Sequence, residues 1–317
     1  MTGAPAGGRR RRGEQPVVPR AEFGSYYGRP VIKAPSWAAP DIAGYFFLGG
    51  LAGAGSVLAA GAQLTGRTTT ATALKVSSLT AVSLSAAALI HDLGRPDRFA
   101  NMLRVFKPTS PMSMGSWLLS VYGPAAGAAA VCATTGRLPR LGGAATAASA
   151  ALGPLLATYT AVLAADTAVP AWHGAHRELP YLFAASATAA AAGMALVVAP
   201  PQENTPVRRA AVLAALADTA ASKAAEQRLG LVAETWREGR AGALLRAARV
   251  LTAGGAAGAA LLGDRRTAAI ASGLALLTGS ACTRFGVFAA GIASARDPKY
   301  TVLPQREHLN GQAPEPV

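Results

Sequence analysis

Residues 45–64 read YFFLGGLAGAGSVLAAGAQL, a run with no charged side chain. About 20 apolar residues is the length an α-helix needs to cross the hydrocarbon core of a bilayer. With Pro40 leading in, this first segment spans about Pro40 to Leu64. Comparable runs follow at about 70–92, 113–135, 143–168, 180–199, 206–229, 242–262 and 267–295. They predict an all-α polytopic membrane protein of about eight transmembrane helices, two four-helix bundles in sequence. The run at 206–229 is the weakest, because Arg208, Arg209, Asp218, Lys223, Glu226 and Arg228 interrupt it. Asp218 and Glu226 are eight positions apart and share one helical face. Such a helix either lies amphipathic on a surface or turns its charges into a polar bundle interior.

Charged residues make up 15% of the 317-residue chain, against about a quarter in soluble domains. The net charge of +14 raises nucleic acid as a partner. The basic residues, however, lie in the N-terminal tail and the loops between apolar runs, where membrane orientation requires them, so no nucleic-acid partner is expected. Lys and Arg are concentrated in the N-tail, the second, fourth and sixth loops and the C-tail. That bias predicts a plasma-membrane protein with both termini and the 93–112 loop in the cytoplasm. Residues 1–36 read as a disordered basic, Pro/Gly-rich tail, 37–295 as the transmembrane domain and 296–317 as a polar tail. RRRR at 9–12 is followed by polar, Pro-rich sequence, so no signal peptide is expected. Cys132 and Cys282 fall in separate apolar runs without a CxxC, which offers no disulfide framework, zinc knuckle or iron–sulfur cluster.

A charge-dense stretch, 89–117, LIHDLGRPDRFANMLRVFKPTSPMSMGSW, is set between two apolar runs and shaped by breaks at 94–96 and 110–111. Ionisable groups at membrane depth are costly and mark function unless they can reach an interface. Asp41 and Tyr45, four apart, start the first span. His91 and Asp92 end the second, and Tyr159 and Asp166 lie late in the fourth. All fall toward the cytoplasmic side, so these groups from spans one, two and four can converge at one depth. Hydroxyl, carboxylate and imidazole together suit the carbonyls and protons of a quinone. Each has a plainer reading as well: Asp41 as a helix cap, the tyrosines as interfacial or packing residues, Asp97 and Arg98 as solvated loop. Arg246, Arg249 and Arg284 can snorkel, and Arg284, near the cytoplasmic end of the eighth span, can equally pair with a carboxylate. Trp172, His173 and His176 sit in a loop and are expected to touch a partner rather than a metal. None of the four histidines lies mid-span, so a haem-bearing anchor is not expected.

HDLGRPDRF at 91–99, SPMSMGSW at 110–117, TYTAVLAADTAVPAWH at 158–173 and LPYLF at 179–183 resemble the NrfD/PsrC-type membrane subunits of polysulfide-reductase-like complexes. YFFLGGLAGAGS at 45–56 resembles that family's first helix, and TRFGVFAAGIASARDPKYTVLPQR near the C-terminus looks like its actinobacterial branch, often paired with a formate-dehydrogenase-like subunit. The resemblance implies a haem-free, metal-free anchor that binds menaquinone transiently. Its implied partners are a four-cluster ferredoxin-like iron–sulfur subunit and a molybdopterin catalytic subunit. It carries the quinone pocket over to Asp41, Tyr45 and Tyr159, where relatives often have Asn and His on the first helix and YTG in place of the present YTA. Asp166 is a further candidate for the pocket. His91 and Asp92 are the expected proton carriers. Arg95, Arg98, Arg104 and Lys107, with Trp172 and His173, are the expected docking residues. Two other functions stay open at this level: an ion-translocating or transporter subunit using Arg246, Arg249, Asp218, Glu226 and Asp166, and a purely structural anchor.

Overall fold

The computed structural model describes residues 31–92 and 101–304. Arg95, Arg98 and the Gly/Pro break at 94–96 lie outside the described residues, as do 1–30 and 305–317. Ten α-helices follow in order: α1 (Ala39–Leu64), α2 (Thr68–Asp92), α3 (Pro111–Thr135), α4 (Pro139–Ala165), α5 (Pro170–His173), α6 (Leu179–Val198), α7 (Thr205–Leu229), α8 (Glu234–Arg237), α9 (Gly239–Leu262) and α10 (Arg266–Arg296). No strand occurs among the described residues.

The eight long helices coincide with the eight apolar runs. Six of them, α1 to α4, α6 and α10, are long and apolar enough to cross a membrane, which makes this a multi-pass membrane protein. α7 and α9 carry more charge, yet both pack within the assembly, α7 against α6 and α9, and α9 against α10. Proline marks several starts. Pro40, Pro111, Pro139, Pro170 and Pro180 all sit in the first turn of a helix, where the missing N–H has no intrahelical partner to lose. α4 ends three residues earlier than its apolar run, because Asp166 is already its C-cap and Pro170 opens a new short helix.

α1 to α4 form one packed set and α6, α7, α9 and α10 a second; α1 touches both α6 and α10 along the seam. Each set has a crossing at which backbones meet. A side chain at Gly53 of α1 would collide with the Gly153 carbonyl of α4. A Cβ at Gly193 of α6 would lie 2.6 Å from the Gly273 carbonyl of α10. Between apolar helices in lipid, such close approach supplies the dispersion contact that a hydrophobic driving force supplies in water.

The up-and-down order brings the start of α1, the end of α2, the start of α3, the end of α4, α5 and the start of α6 to one end. The end of α7, α8, the start of α9 and the end of α10 join them there. At the opposite end the loop between α6 and α7 reaches across to α2. Glu203 accepts hydrogen bonds from the Thr70 amide (2.8 Å) and hydroxyl (2.6 Å), closing free N–H groups at the start of α2. Burial pushes the Glu203 carboxyl up, but the hydrogen bonds from Thr70 and Thr69 outweigh it and hold the group below the ordinary glutamate range.

Candidate functional site

Where α1, α2, α3 and α4 meet at the shared end, they enclose a cavity of about 70 Å³. Its wall is mostly apolar, with Trp37, Ile42, Leu89, Met102, Met112 and Leu163 around it. Its polar groups are Tyr45, Asp92, Ser116 and Tyr159. Tyr45 is buried on α1, and its ring meets that of Tyr159 edge-on, with centroids 6.1 Å apart. The Tyr159 hydroxyl is buried and has no hydrogen-bond partner among the described residues. An orphaned phenol inside a hydrocarbon-bounded bundle is expensive, and a ligand acceptor is what would relieve it.

Asp41 and His91 stand at the rim. Asp41 does not cap α1: the N-cap is Ala38, which uses no side chain, and Asp41 sits in the first turn. Its Oδ2 lies 3.0 Å from His91 Nδ1, while the His91 side chain is 79% exposed. The pair therefore connects bulk water to the top of α1. Asp92 faces the other way, lining the cavity and accepting a 3.4 Å hydrogen bond from the Ala38 amide. Consecutive residues at the end of α2 thus serve solvent and cavity respectively.

Asp166 is apart from this group. As the exposed C-cap of α4 it lines an outer groove of about 540 Å³, together with Pro111, Met114, Tyr159, Val162, His173 and His176. Trp172 corrects the expectation of a docking residue. It is fully buried, donates from Nε1 to the Val287 carbonyl at 2.8 Å, and stacks on Trp37 with centroids 5.6 Å apart. The short helix α5 turns the indole inward, where Gly291 of α10 leaves room for it. His173 is exposed, with Nδ1 3.0 Å from the Ala165 carbonyl.

Arg104 and Lys107 are exposed on the 101–110 loop, which folds back onto α3. Ser113 Oγ donates to the Val105 carbonyl (2.9 Å) and accepts from the Lys107 amide (3.1 Å), and Phe106 meets Trp117 edge-on. Val105 and Phe106 remain exposed beside the two cations. Among the described residues, no group of three or more His, Cys, Asp or Glu is placed to hold a metal.

Residues 33–202 match the family model described as polysulphide reductase, NrfD. The chain belongs to the polysulphide reductase NrfD family. NrfD proteins are membrane subunits of oxidoreductase complexes, are associated with quinones, and normally assemble with iron–sulfur and molybdopterin catalytic subunits. No curated protein matches the chain. The NrfD match contains every residue lining the cavity and the outer groove, and it ends before α7. Polarity in the sequence singles out Tyr45, Asp92 and Tyr159, which line the cavity, and Asp41 and His91, which pair beside it. It does not assign the apolar wall, nor Gly115 and Ser116, although SPMSMGSW stands out as a motif.

Proposed function

We propose that this NrfD-family chain is the quinone-reactive membrane subunit of a molybdopterin/iron–sulfur oxidoreductase, with the head group of menaquinone placed at the α1–α4 cavity. The observation that carries this reading is the buried, unpartnered Tyr159 hydroxyl at the wall of an apolar cavity in the shared helix end. A quinone, when bound, supplies two-electron, two-proton redox chemistry. The residues present suit the chemistry of its head group: two phenols that can donate to carbonyl oxygens, an apolar wall for the ring and, among the described lining residues, no cation that would trap a charged form.

Tyr159 and Tyr45 hold the ring by hydrogen bonds that a neutral phenol makes at any physiological pH. Asp92 stands inside the cavity wall as the proton carrier nearest the ring. The Asp41–His91 pair at the rim exchanges protons between Asp92's end of the bundle and water, His91 being the exposed partner. Electrons enter or leave through an iron–sulfur subunit seated on this same end. The 101–110 loop, with Arg104 and Lys107 beside exposed Val105 and Phe106, suits an acidic partner surface with an apolar centre. The Lys/Arg bias of the loops supports a cytoplasmic position for this end and for both termini.

The test uses the intact complex with Tyr159→Phe and, separately, Asp41→Ala. Quinone-linked turnover should fall about tenfold or more for Tyr159→Phe, the worth of one good hydrogen bond to the reacting ligand. Dye-linked turnover of the catalytic subunit should stay at the wild-type level. Unchanged quinone-linked turnover in both variants would overturn the site.

One observation favours a second reading, ion translocation. Asp218 of α7 and Arg284 of α10 are both buried deep in the second helix set. The path that reading requires is incomplete here, because Asp166 lies on the far side of α4, in the α3–α4 groove.

A further inference from the structure

The cavity and the outer groove share one lining residue, Tyr159. On one side lies a space of about 70 Å³, on the other about 540 Å³. A cavity of about 150 Å³ is what holds a benzene ring, and ligand pockets generally run from about 300 Å³ upward. As it stands the partly open cavity is smaller than a quinone ring, so the head group proposed for it fits only once a wall gives way. Turning Tyr159 aside would join it to a space that is large enough.

The position of Tyr159 is set by α3. Its ring lies against the backbone at Gly115, where an added Cβ would collide with Cε2 and stand 3.0 Å from Cδ2 and 3.2 Å from Cζ. Only a glycine permits the ring to lie there. Beyond the ring, the groove is walled by Pro111, Met114, Val162 and Ala165, with Met114 and Val162 exposed on the outside of α3 and α4. Because α4 packs inward on α1, that outer face would be the one left to lipid in a bilayer. The aqueous end of the groove carries Asp166, His173 and His176.

We infer that the α3–α4 groove receives the isoprenoid tail of the quinone, and that Gly115 is a positioning residue that lets Tyr159 serve as the movable wall between tail site and head-group cavity. The inference rests on the quinone reading and adds the route. The ligand class follows from the two halves of the site. A polar ring suits the cavity, a branched hydrocarbon suits an apolar groove lined by adaptable Met114, and Tyr159 stands at the junction. The competing route is on the other side of Trp37, which also lines a lateral groove of about 360 Å³ between α9 and α10. Arg240 and Arg296 flank that groove, and the wall next to the cavity there is Trp37, fixed by its stack on Trp172. Tyr159 has no such stacking partner outside the cavity, so its side is the one that can open.

Two measurements test the route in the intact complex. In the first, the complex in phospholipid vesicles is irradiated with a long-tailed quinone bearing a diazirine in the tail, and the adducts are mapped by mass spectrometry. Label should fall on the peptides holding Met114 and Val162, and excess tail-less quinone should suppress it. Label on Leu244, Phe285 or Ile292 instead would overturn the route while leaving the head-group site standing. Absence of any specific label would overturn both. In the second, Met114→Trp and Val162→Trp fill the groove from its exposed side, which spares the fold. KM for long-tailed quinone should rise about tenfold, with KM for a tail-less quinone within about twofold of wild type. Equal effects on both quinones, or none on either, would overturn the inference. Gly115→Ala should lower kcat/KM for both quinones, since it displaces the wall itself.

Discussion

The two helix sets are built alike and keep their polar groups differently. Both have a glycine-on-glycine crossing, Gly53 with Gly153 in the first and Gly193 with Gly273 in the second. In the first set Asp41, His91 and Asp92 sit at the helix ends by the cavity, whose deeper wall offers hydroxyls. That set's one buried cation among the described residues, Lys75 of α2, donates to Gln63 toward the opposite end. In the second, charge lies deep. Arg284 is fully buried, its Nη2 donates to the Phe183 carbonyl at 2.6 Å, and its guanidinium lies 3.7 Å over the Phe183 ring. Its Nε and Nη1, like Oδ1 of buried Asp218, have no hydrogen-bond partner among the described residues. Hydroxyls in an apolar wall, with ionisable groups kept to the edge, suit a ligand that comes and goes. A buried charge set must stay balanced at all times, so it ties the set together more than it serves an exchanging ligand. The NrfD match stops at residue 202, just short of α7, and so covers the first set and α6.

The largest effect should come from upsetting that balance. Arg284→Met removes the buried cation and its bond to the Phe183 carbonyl and should cost about 1.5–3 kcal/mol, read as a lower melting temperature of the purified complex. Asp218→Asn in the same background should restore part of the loss; no restoration would show that the two residues are not a unit. Next, Gly53→Ala and Gly193→Ala should each destabilise by about 1–3 kcal/mol through overpacking at a backbone crossing. Equal losses would confirm that the two sets share one packing device, and a loss in only one would separate them.

Tyr159→Phe sharpens the contrast from the other side. Removing a hydroxyl that has no protein partner should leave the melting temperature unchanged or slightly raised, even as quinone-linked turnover falls. A clear drop in melting temperature would mean that the group serves the fold. The smallest effect concerns Glu203, which joins the second set to the start of α2. Its carboxyl sits below the ordinary glutamate range when folded, so its contribution is complete above that range and fades as pH falls through the folded value. Glu203→Gln should therefore melt earlier than wild type at neutral pH, with the gap closing toward acid.

The helices were legible because apolar length is a local property. α7 could be read as helical but not as buried or exposed from its charges alone; its partners on α6 and α9 decide that. In Ala- and Gly-rich helices that face lipid on one side and protein on the other, both faces are apolar, and periodicity does not say which is inside. Hence Arg284, which sequence alone allows to snorkel, is found enclosed, in space that Gly50 of α1 leaves open: a Cβ there would stand 3.0 Å from Nη2. Trp172 is hidden for a similar reason. Its burial depends on α5 and on Gly291, more than a hundred residues away in the chain. Tyr45, Tyr159 and Asp92 could be named from sequence since polar groups near span ends are few. The apolar wall could not, being indistinguishable from the lipid-facing residues around it.

The stacked pair Trp37 and Trp172 makes the protein its own spectroscope. Two indoles 5.6 Å apart and inclined by 18° form a coupled chromophore. One member borders the cavity, and the other is anchored on α10 through Val287 and Phe288. A ligand entering the cavity would therefore be expected to change the near-ultraviolet dichroism and tryptophan emission of the unlabelled protein.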